Sequence, residues 1–392
     1  MKTAIALALT LFFAILTIYT DSPCSVSLFE FAILALAALW TLRFAIRPAP
    51  LRLHPALIPL AAICLLGALQ LLTGTTIGRW DTANALLRSF TYCAAFALAL
   101  QCGAIPEARA RFLQSLVYFG FAFSACAAIG YLSDPAKIFG VFHPPYPGIF
   151  LGPFSNKDHY ASFIQLLLPI ALYEALTSKR LLILNAVIAA IMFSSVIQGA
   201  SRAGSFLVVA ETLLILFLAH RRKPAATRGV IRGFFIPLAA IAALTLSIGW
   251  ARLWERAQES DPYQSRRQIL MSCFDMVRAK PLTGFGLGTF ESAYPRFARF
   301  DEGELLTHAH NDWVESAVEG GIPLTLLFLA AALLSAPALW RSIWGIGVLS
   351  VLTHSLIDFP MHRPAIALWL YVLAGFACGA RFTKALPADH SR

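Results

Sequence analysis

Thr307-His308-Ala309-His310-Asn311-Asp312-Trp313 closes the longest polar stretch of the chain, and an apolar run of membrane-spanning length begins directly after it. Two imidazoles, an amide and a carboxylate therefore sit where a watery loop meets a span, with Glu315 and Glu319 at the top of that span. Histidine changes charge near neutral pH, so this combination can do proton chemistry at a lipid surface.

Working outward, the run after Trp313 is one of many. The chain has 392 residues, 58% hydrophobic and 13% charged, where soluble domains carry roughly 25% charged. Apolar runs of about 20 residues recur along it, the length that crosses a bilayer as a helix. They are continuous rather than alternating, which excludes a β-barrel. The net charge of +10 lies in short loops between runs. It follows the positive-inside rule and gives no reason to expect nucleic acid. Cys24, Cys64, Cys93, Cys102, Cys126, Cys273 and Cys378 are scattered, mostly in apolar runs, with no metal-binding spacing. The N-terminal run lacks a small-residue cleavage site and reads as an uncleaved first span.

The runs predict about twelve spans with both termini cytoplasmic, at about 3–20, 26–46, 55–72, 84–102, a fifth ending near 132, 159–177, 181–198, 203–220, 233–250, 313–339, 342–358 and 365–381. Loops bearing Arg43, Arg47 and Arg52, Arg109 and Arg111, Lys179 and Arg180, Arg221 to Arg232, Arg341, and Arg381 with Lys384 are basic and nearly free of acids. They are assigned inside. The opposite loops mix both signs. This makes residues 1–392 one all-α polytopic domain, with a large external loop at 251–312 and no separate soluble domain. Arg79, His143, Asn156, Lys157, Asp158, His159, Arg202, Arg266, His308, His310 and Asp358 then share the outer side, away from ATP and nucleotide sugars.

Several of these admit a bland and a sharp reading. Apolar Ile269, Leu270, Cys273, Phe274 and Val277 recur with helical period, predicting an amphipathic helix on the membrane with Arg266 in its first turn. Arg266 there touches either lipid phosphate or substrate. Gly284-Phe285-Gly286-Leu287-Gly288 is either a tight turn or a phosphate cradle, and without a preceding strand the turn is the simpler reading. Asn156 or Asp158 suits a helix cap. Arg202 sits in a turn too short to leave the membrane, so it either snorkels or meets an anion. Arg88, near the outer end of its span, has the same choice. For His308 and His310 a structural role, a general base and a metal site with Asp312 or Asp301 all remain open. His354 and Asp358 stand one turn apart and can pair, as can Glu315 and Glu319.

In order along the chain, the Asn156 region, Ser201-Arg202-Ala203-Gly204, Arg266 through Pro281-Leu282-Thr283-Gly284-Phe285-Gly286-Leu287-Gly288-Thr289-Phe290, His308-Ala309-His310-Asn311-Asp312-Trp313 with Glu319-Gly320-Gly321, and His354-Ser355-Leu356-Ile357-Asp358-Phe359-Pro360 together resemble the O-antigen ligase and polymerase superfamily. The match is dense from about residue 150 to 365, and the first five spans resemble it only in hydropathy. Leu270 stands where members often carry Trp, four residues after the arginine, so Arg266 and Arg267 both stay open as the substrate contact.

The resemblance implies a glycosyltransferase C-like fold whose periplasmic loop carries amphipathic helices, in the bacterial inner membrane. It implies transfer of a glycan from undecaprenyl diphosphate to an acceptor hydroxyl such as the lipid A core. No cofactor or metal ion is implied. By the same resemblance His310, with His308 beside it, is the base. Arg202 and Arg266, with Arg88 and Lys157 as weaker candidates, hold the diphosphate. Asn311, Asp312, Asn156 and Asp358 support them. Polymerisation of lipid-linked repeats and glycosylation of protein Ser or Thr use the same donor and stay open. A flippase reading predicts charges strewn through mid-membrane, whereas the unusual charges here gather at the outer ends of spans.

Overall fold

The structure is a computed structural model and describes residues 1–20, 23–178, 180–222, 227–237, 239, 264–299 and 306–383. The protein is all-α and polytopic, as the apolar runs predict. Among the described residues the only β-type pairings are two isolated bridges, Ile138 with Phe142 and Leu151 with Phe154. They pin the Pro- and Gly-rich loop between spans five and six.

The helices are α1 (Lys2–Leu16), α2 (Pro23–Ile46), α3 (Leu57–Thr73), α4 (Arg79–Gly103), α5 (Pro106–Ser133), α6 (Lys157–Thr177), α7 (Leu182–Gln198), α8 (Arg202–Arg222), α9 (Gln264–Ala279), α10 (Asp312–Arg341), α11 (Ile346–His354) and α12 (Pro364–Ala380). Six of them, α2, α4, α5, α6, α8 and α10, are long and apolar enough to cross a membrane. α1, α3, α7, α12 and α11 with its preceding turn are apolar but shorter. Residues 227–237 are helical at the start of the expected ninth span. Residues 240–263 and Lys384, which carry the rest of that span, the start of the long loop and part of the tail, lie outside the described residues, as does Asp301.

Burial sorts the helices. α6 is the central one, with 83% of its apolar window buried, against 17% for α2 and 22% for α10. The outer helices present large apolar side chains such as Phe31, Ile58, Leu72 and Phe206 outward. In water that surface would be a liability, but in lipid it is the expected solvent face. α6 packs on α7, α8 and α11, and α12 runs along α4. The site grows where the N-terminal ends of α6, α8 and α10 meet the C-terminal end of α11.

Two elements depart from the simple run-by-run reading. α4 starts at Arg79, not near residue 84, because the polar residues Arg79 to Asp81 form its first turn, with Asp81 at the positive end of the helix dipole. Span ten is not one straight rod. Gly321 (φ 68°, ψ −177°) breaks α10 inside.

Candidate active site

The site is built on the first residue pair of α10. Asn311 caps that helix, its side-chain oxygen accepting from Trp313 N at 3.1 Å and Val314 N at 3.0 Å. The other end of the same amide donates to Leu356 O at 2.6 Å. Asp312 N donates to Ser355 O at 3.0 Å. One cap therefore fastens the N-terminal end of α10 to the turn that follows α11. His310, just before the cap, has φ 52°. A non-glycine residue held in the left-handed region is strained and must be fixed by its surroundings.

His310 faces that turn. Its Nδ1 lies 3.5 Å from Asp358 Oδ1, and His159 Nε2, at the start of α6, lies 3.6 Å from Asp358 Oδ2. The Asp358 side chain is 1% exposed and that of His310 is 28% exposed. One buried carboxylate thus stands between two imidazoles, one of them open to the outside. Burial alone would raise the Asp358 pKa. The imidazoles of His310, His159 and His354 and the Arg266 guanidinium outweigh burial and hold it at about 2. Phe359 is the common wall, with ring centroids 4.6 Å from His159, 4.9 Å from His310 and 4.3 Å from His308. Such an arrangement can serve chemically as a base with an orienting carboxylate.

On the other side of Phe359 is a second histidine–carboxylate group. His308 Nδ1 lies 2.8 Å from Glu315 Oε1, and Ala309 N donates to Glu315 Oε2 at 2.7 Å. His362 Nδ1 hydrogen-bonds Asp312, and its Nε2 is 3.4 Å from Glu315 and 3.9 Å from Glu319. Burial disfavours a charged His362, but Glu315, Asp312 and Glu319 overcome it and raise its pKa well above the ordinary value. The surrounding carboxyl groups thus favour the imidazolium form of His362. Ligand atoms of His308, Glu315 and His362 lie within 4.8 Å of one another and can converge on one metal ion. The third ligand for the His308 region is thus Glu315 or His362, where the sequence offered Asp312 or Asp301.

The cations come from three helices. Arg266, in the first turn of α9, donates through Nη1 to Ile357 O at 2.7 Å and reaches Asp158 Oδ2 at 3.5 Å through Nη2. It is therefore fixed one residue from Asp358. Arg267 is exposed. Ser201 donates its hydroxyl to the other oxygen of Asp158, which places Arg202, first residue of α8, at the same corner. Asn156 caps α6, accepting from Asp158 N at 2.7 Å. Asn156, Lys157 and Asp158 line a cavity of about 380 Å³ with Tyr131, Phe154 and Gly199. Arg88 lies apart from this corner. It pairs with Glu30 at 3.5 Å and lines a cavity of about 120 Å³ beside Asp312, Glu319 and His362.

The glycine loop holds the frame. Pro323 cannot donate to Glu319 O, and Ile322 N turns to Pro281 O at 2.8 Å, so Val318 O and Glu319 O are released from the helix. Phe285 N at 3.0 Å and Gly286 N at 2.9 Å take them up, and Gln70 Nε2 adds a bond of 2.9 Å to Glu319 O. Gly284 (φ 60°) passes so close to Glu319 O that a Cβ would stand 2.3 Å from it. Gly286 and Gly288 also have positive φ. Their backbone N–H groups and close approaches serve α10 and α4, consistent with a turn rather than a phosphate cradle.

Residues 163–329 match the family model described as O-antigen ligase. Over that segment the chain is similar to the O-antigen ligase family. No curated protein matched the chain. With the apolar helices, that likeness supports a multi-pass inner-membrane glycan transferase of the ligase or polymerase kind.

The O-antigen ligase match contains Arg202, Arg266, His308, His310 and Asn311 but stops short of Asp358 and His362. Those two reach the site only through the fold. Glu315 and Glu319 do not pair with each other, as their spacing allows, but both turn to His362. His354 takes Ser162 Oγ at 2.9 Å instead of pairing with Asp358. His362, Phe359 and His159 were not singled out as functional from sequence. A turn that follows Asp358 with Phe359-Pro360-Met361 and then His362 was the available signal. α9 buries Ile269, Cys273 and Met276, while Phe274, expected on the apolar stripe, is 54% exposed beside Met271. Both apolar side chains face outward, as a helix lying on lipid requires.

Proposed function

We propose that this protein moves a glycan from undecaprenyl diphosphate to a hydroxyl of the lipid A core at the periplasmic face, as one membrane domain with both termini cytoplasmic. The leaving group is already a good one, so catalysis needs an activated acceptor and neutralised charge. His310 removes the acceptor proton while its oxygen attacks the anomeric carbon with inversion. Asp358 orients His310 and stabilises the imidazolium. Arg266 and Arg202 take the charge that develops on the diphosphate, with Lys157 at the neighbouring cavity and Arg88 more remote. No metal ion or cofactor takes part.

The observation that carries this reading is the single turn 355–363. It presents Asp358 to His310 at 3.5 Å and, one residue earlier, the Ile357 carbonyl to Arg266 at 2.7 Å. Base and cation are thereby set by one short piece of backbone.

The test uses purified protein in lipid with undecaprenyl-diphosphate glycan. Lipid A core, a lipid-linked repeat and a Ser/Thr peptide are offered separately. Product is expected with lipid A core and is lost in His310→Ala by a factor on the order of 10²–10⁴. Product with another acceptor alone reassigns the reaction. Wild-type rates in His310→Ala remove its role as base.

A further inference from the structure

A cavity of about 380 Å³ is formed where the last turn of α5, the N-terminal end of α6 and the turn between α7 and α8 come together. From its walls the transfer reaction draws only on Lys157. Its size lies within the range of small-ligand pockets, roughly 300–1,000 Å³. The walls are set by their own bonds. Phe154 N donates to Leu151 O at 3.2 Å and Leu151 N to Phe154 O at 2.9 Å, closing a tight turn in which Gly152 has φ 62°. Phe150 N donates to Pro135 O at 2.7 Å. The Phe154 ring packs against Phe123, Tyr160 and Phe163. Gly199, before α8, passes so close that a Cβ there would stand 2.8 Å from Leu151 Cδ2. A wall ordered in advance lowers the cost of binding.

The lining selects the class of ligand. Tyr131 offers an aromatic ring, and Leu151 and Phe154 an apolar surface. Ser155, Asn156, Lys157 and Asp158 supply a hydroxyl, an amide, an ammonium and a carboxylate. The cap of α6 uses only the amide oxygen of Asn156, which accepts from Asp158 N at 2.7 Å. Among the described residues its two Nδ2 hydrogens stay available as donors. A polyprenyl chain would strand these polar groups. A diphosphate would meet the Asp158 carboxylate, like charge against like. A sugar ring suits both kinds of wall. Its C–H face can lie on an aromatic ring, while its hydroxyls donate to Asp158 and accept from Asn156 and Ser155.

We infer that this cavity is the subsite for the sugar bonded to the donor's diphosphate, with Tyr131, Asn156 and Asp158 selecting it. The inference rests on Arg266 and Arg202 holding that diphosphate. Asp158 joins the two places. It lines the cavity, its Oδ2 lies 3.5 Å from Arg266 Nη2, and its other oxygen accepts from Ser201, the residue before Arg202. The donor's first sugar is one bond from the diphosphate, so it must lie against this corner. The acceptor sugar has only to reach His310. Arg266 Nη1 donates to Ile357 O at 2.7 Å, beside the Asp358 that faces His310, so one guanidinium borders both the cavity and the base.

The test measures binding without turnover. Purified protein in lipid is titrated with undecaprenyl diphosphate and with the same lipid carrying an N-acetylhexosamine. Tyr131→Leu keeps an apolar side chain, Asn156→Ser keeps a helix cap, and Ser155→Trp fills the cavity from an exposed position. Each should weaken binding of the sugar-bearing lipid about tenfold, the size of one lost aromatic or hydrogen-bonded contact, and leave Kd for the bare lipid at its wild-type value. Equal weakening of both lipids would make the cavity a diphosphate site. Wild-type Kd for both lipids in all three variants overturns the subsite, and so does a change confined to the KM of the acceptor. If Tyr131→Leu or Asn156→Ser fails to fold, Ser155→Trp decides. The base is judged apart, since an active His310→Ala removes it while the difference between the lipids stands. A wild-type protein that binds neither lipid removes both readings.

Discussion

Two histidine–carboxylate groups stand on either side of Phe359, built from the same residue types and held in opposite ways. In the first, His310, Asp358 and His159 face one another at 3.5–3.6 Å, and the Asp358 oxygens carry no hydrogen bond among the described residues. In the second, His362 is bonded to Asp312, and Glu315 is engaged by both His308 and Ala309 N. A loosely partnered pair can exchange a proton as a substrate arrives, because apo catalytic contacts tighten only in the complex. A saturated ion cluster cannot do so cheaply, and its worth is in holding the turn and α10 together.

The sharpest way to break the contrast is Asp358→Asn. It keeps the shape and removes the orienting charge, and kcat should fall on the order of a thousandfold with membrane insertion unchanged. A full rate would show that the loose pair is not catalytic. Arg202→Ala comes next. It should cost on the order of 10²–10³ in rate through lost charge stabilisation, again with insertion intact, and an active protein would remove the diphosphate clamp.

His362→Gln should act on stability instead, because it leaves carboxylates buried and unpaired. Breaking a buried ion cluster costs roughly 3–5 kcal/mol. The pH dependence separates the groups. The folded pKa of His362 is raised, so its stabilisation is complete below its unfolded value of about 6.5. It drains away as pH rises through the folded pKa. The thermal midpoint in detergent should therefore decline on the alkaline side, and His362→Gln should flatten that decline. Asp358, held at about 2, contributes above its unfolded value of about 3.9 and loses its contribution only as pH falls toward 2. The smallest expected effect is that of a chelator, which should leave transfer unchanged. A loss restored by zinc or magnesium would turn the His308–Glu315–His362 group into a metal centre.

Most of the architecture was legible because membrane spans are written in continuous apolar runs. The expected boundaries at 26–46, 159–177, 181–198 and 203–220 fall within a few residues of the described helices. The loop end at Thr307–Trp313 was legible as a polar cluster against a span, and the structure gathers His308, His310, Asn311 and Asp312 there with Asp358 and His362. The break in α10 was not read, although Gly320-Gly321 followed by Pro323 is the pattern that frees carbonyls. What those carbonyls bind lies back in the Gly284–Gly288 loop, and that pairing belongs to tertiary structure. The same holds for Glu315 and Glu319. Their spacing along the helix suggests each other, while His362 reaches them only once the turn after α11 has folded over.

The break at Gly321 also bears on how the enzyme meets its bilayer. A rigid span answers a change in lipid thickness by tilting, and whatever is mounted on its end moves with it. Here the outer piece of α10, with Asp312, Glu315 and Glu319, is moored to the 281–288 loop and to Gln70 of α3. Among the described residues, the piece after the break carries none of these moorings to the 281–288 loop beyond Ile322 N to Pro281 O. The working end should therefore keep its shape in membranes of different acyl-chain length, and activity in short- and long-chain lipids should differ little until Gln70→Ala loosens the mooring.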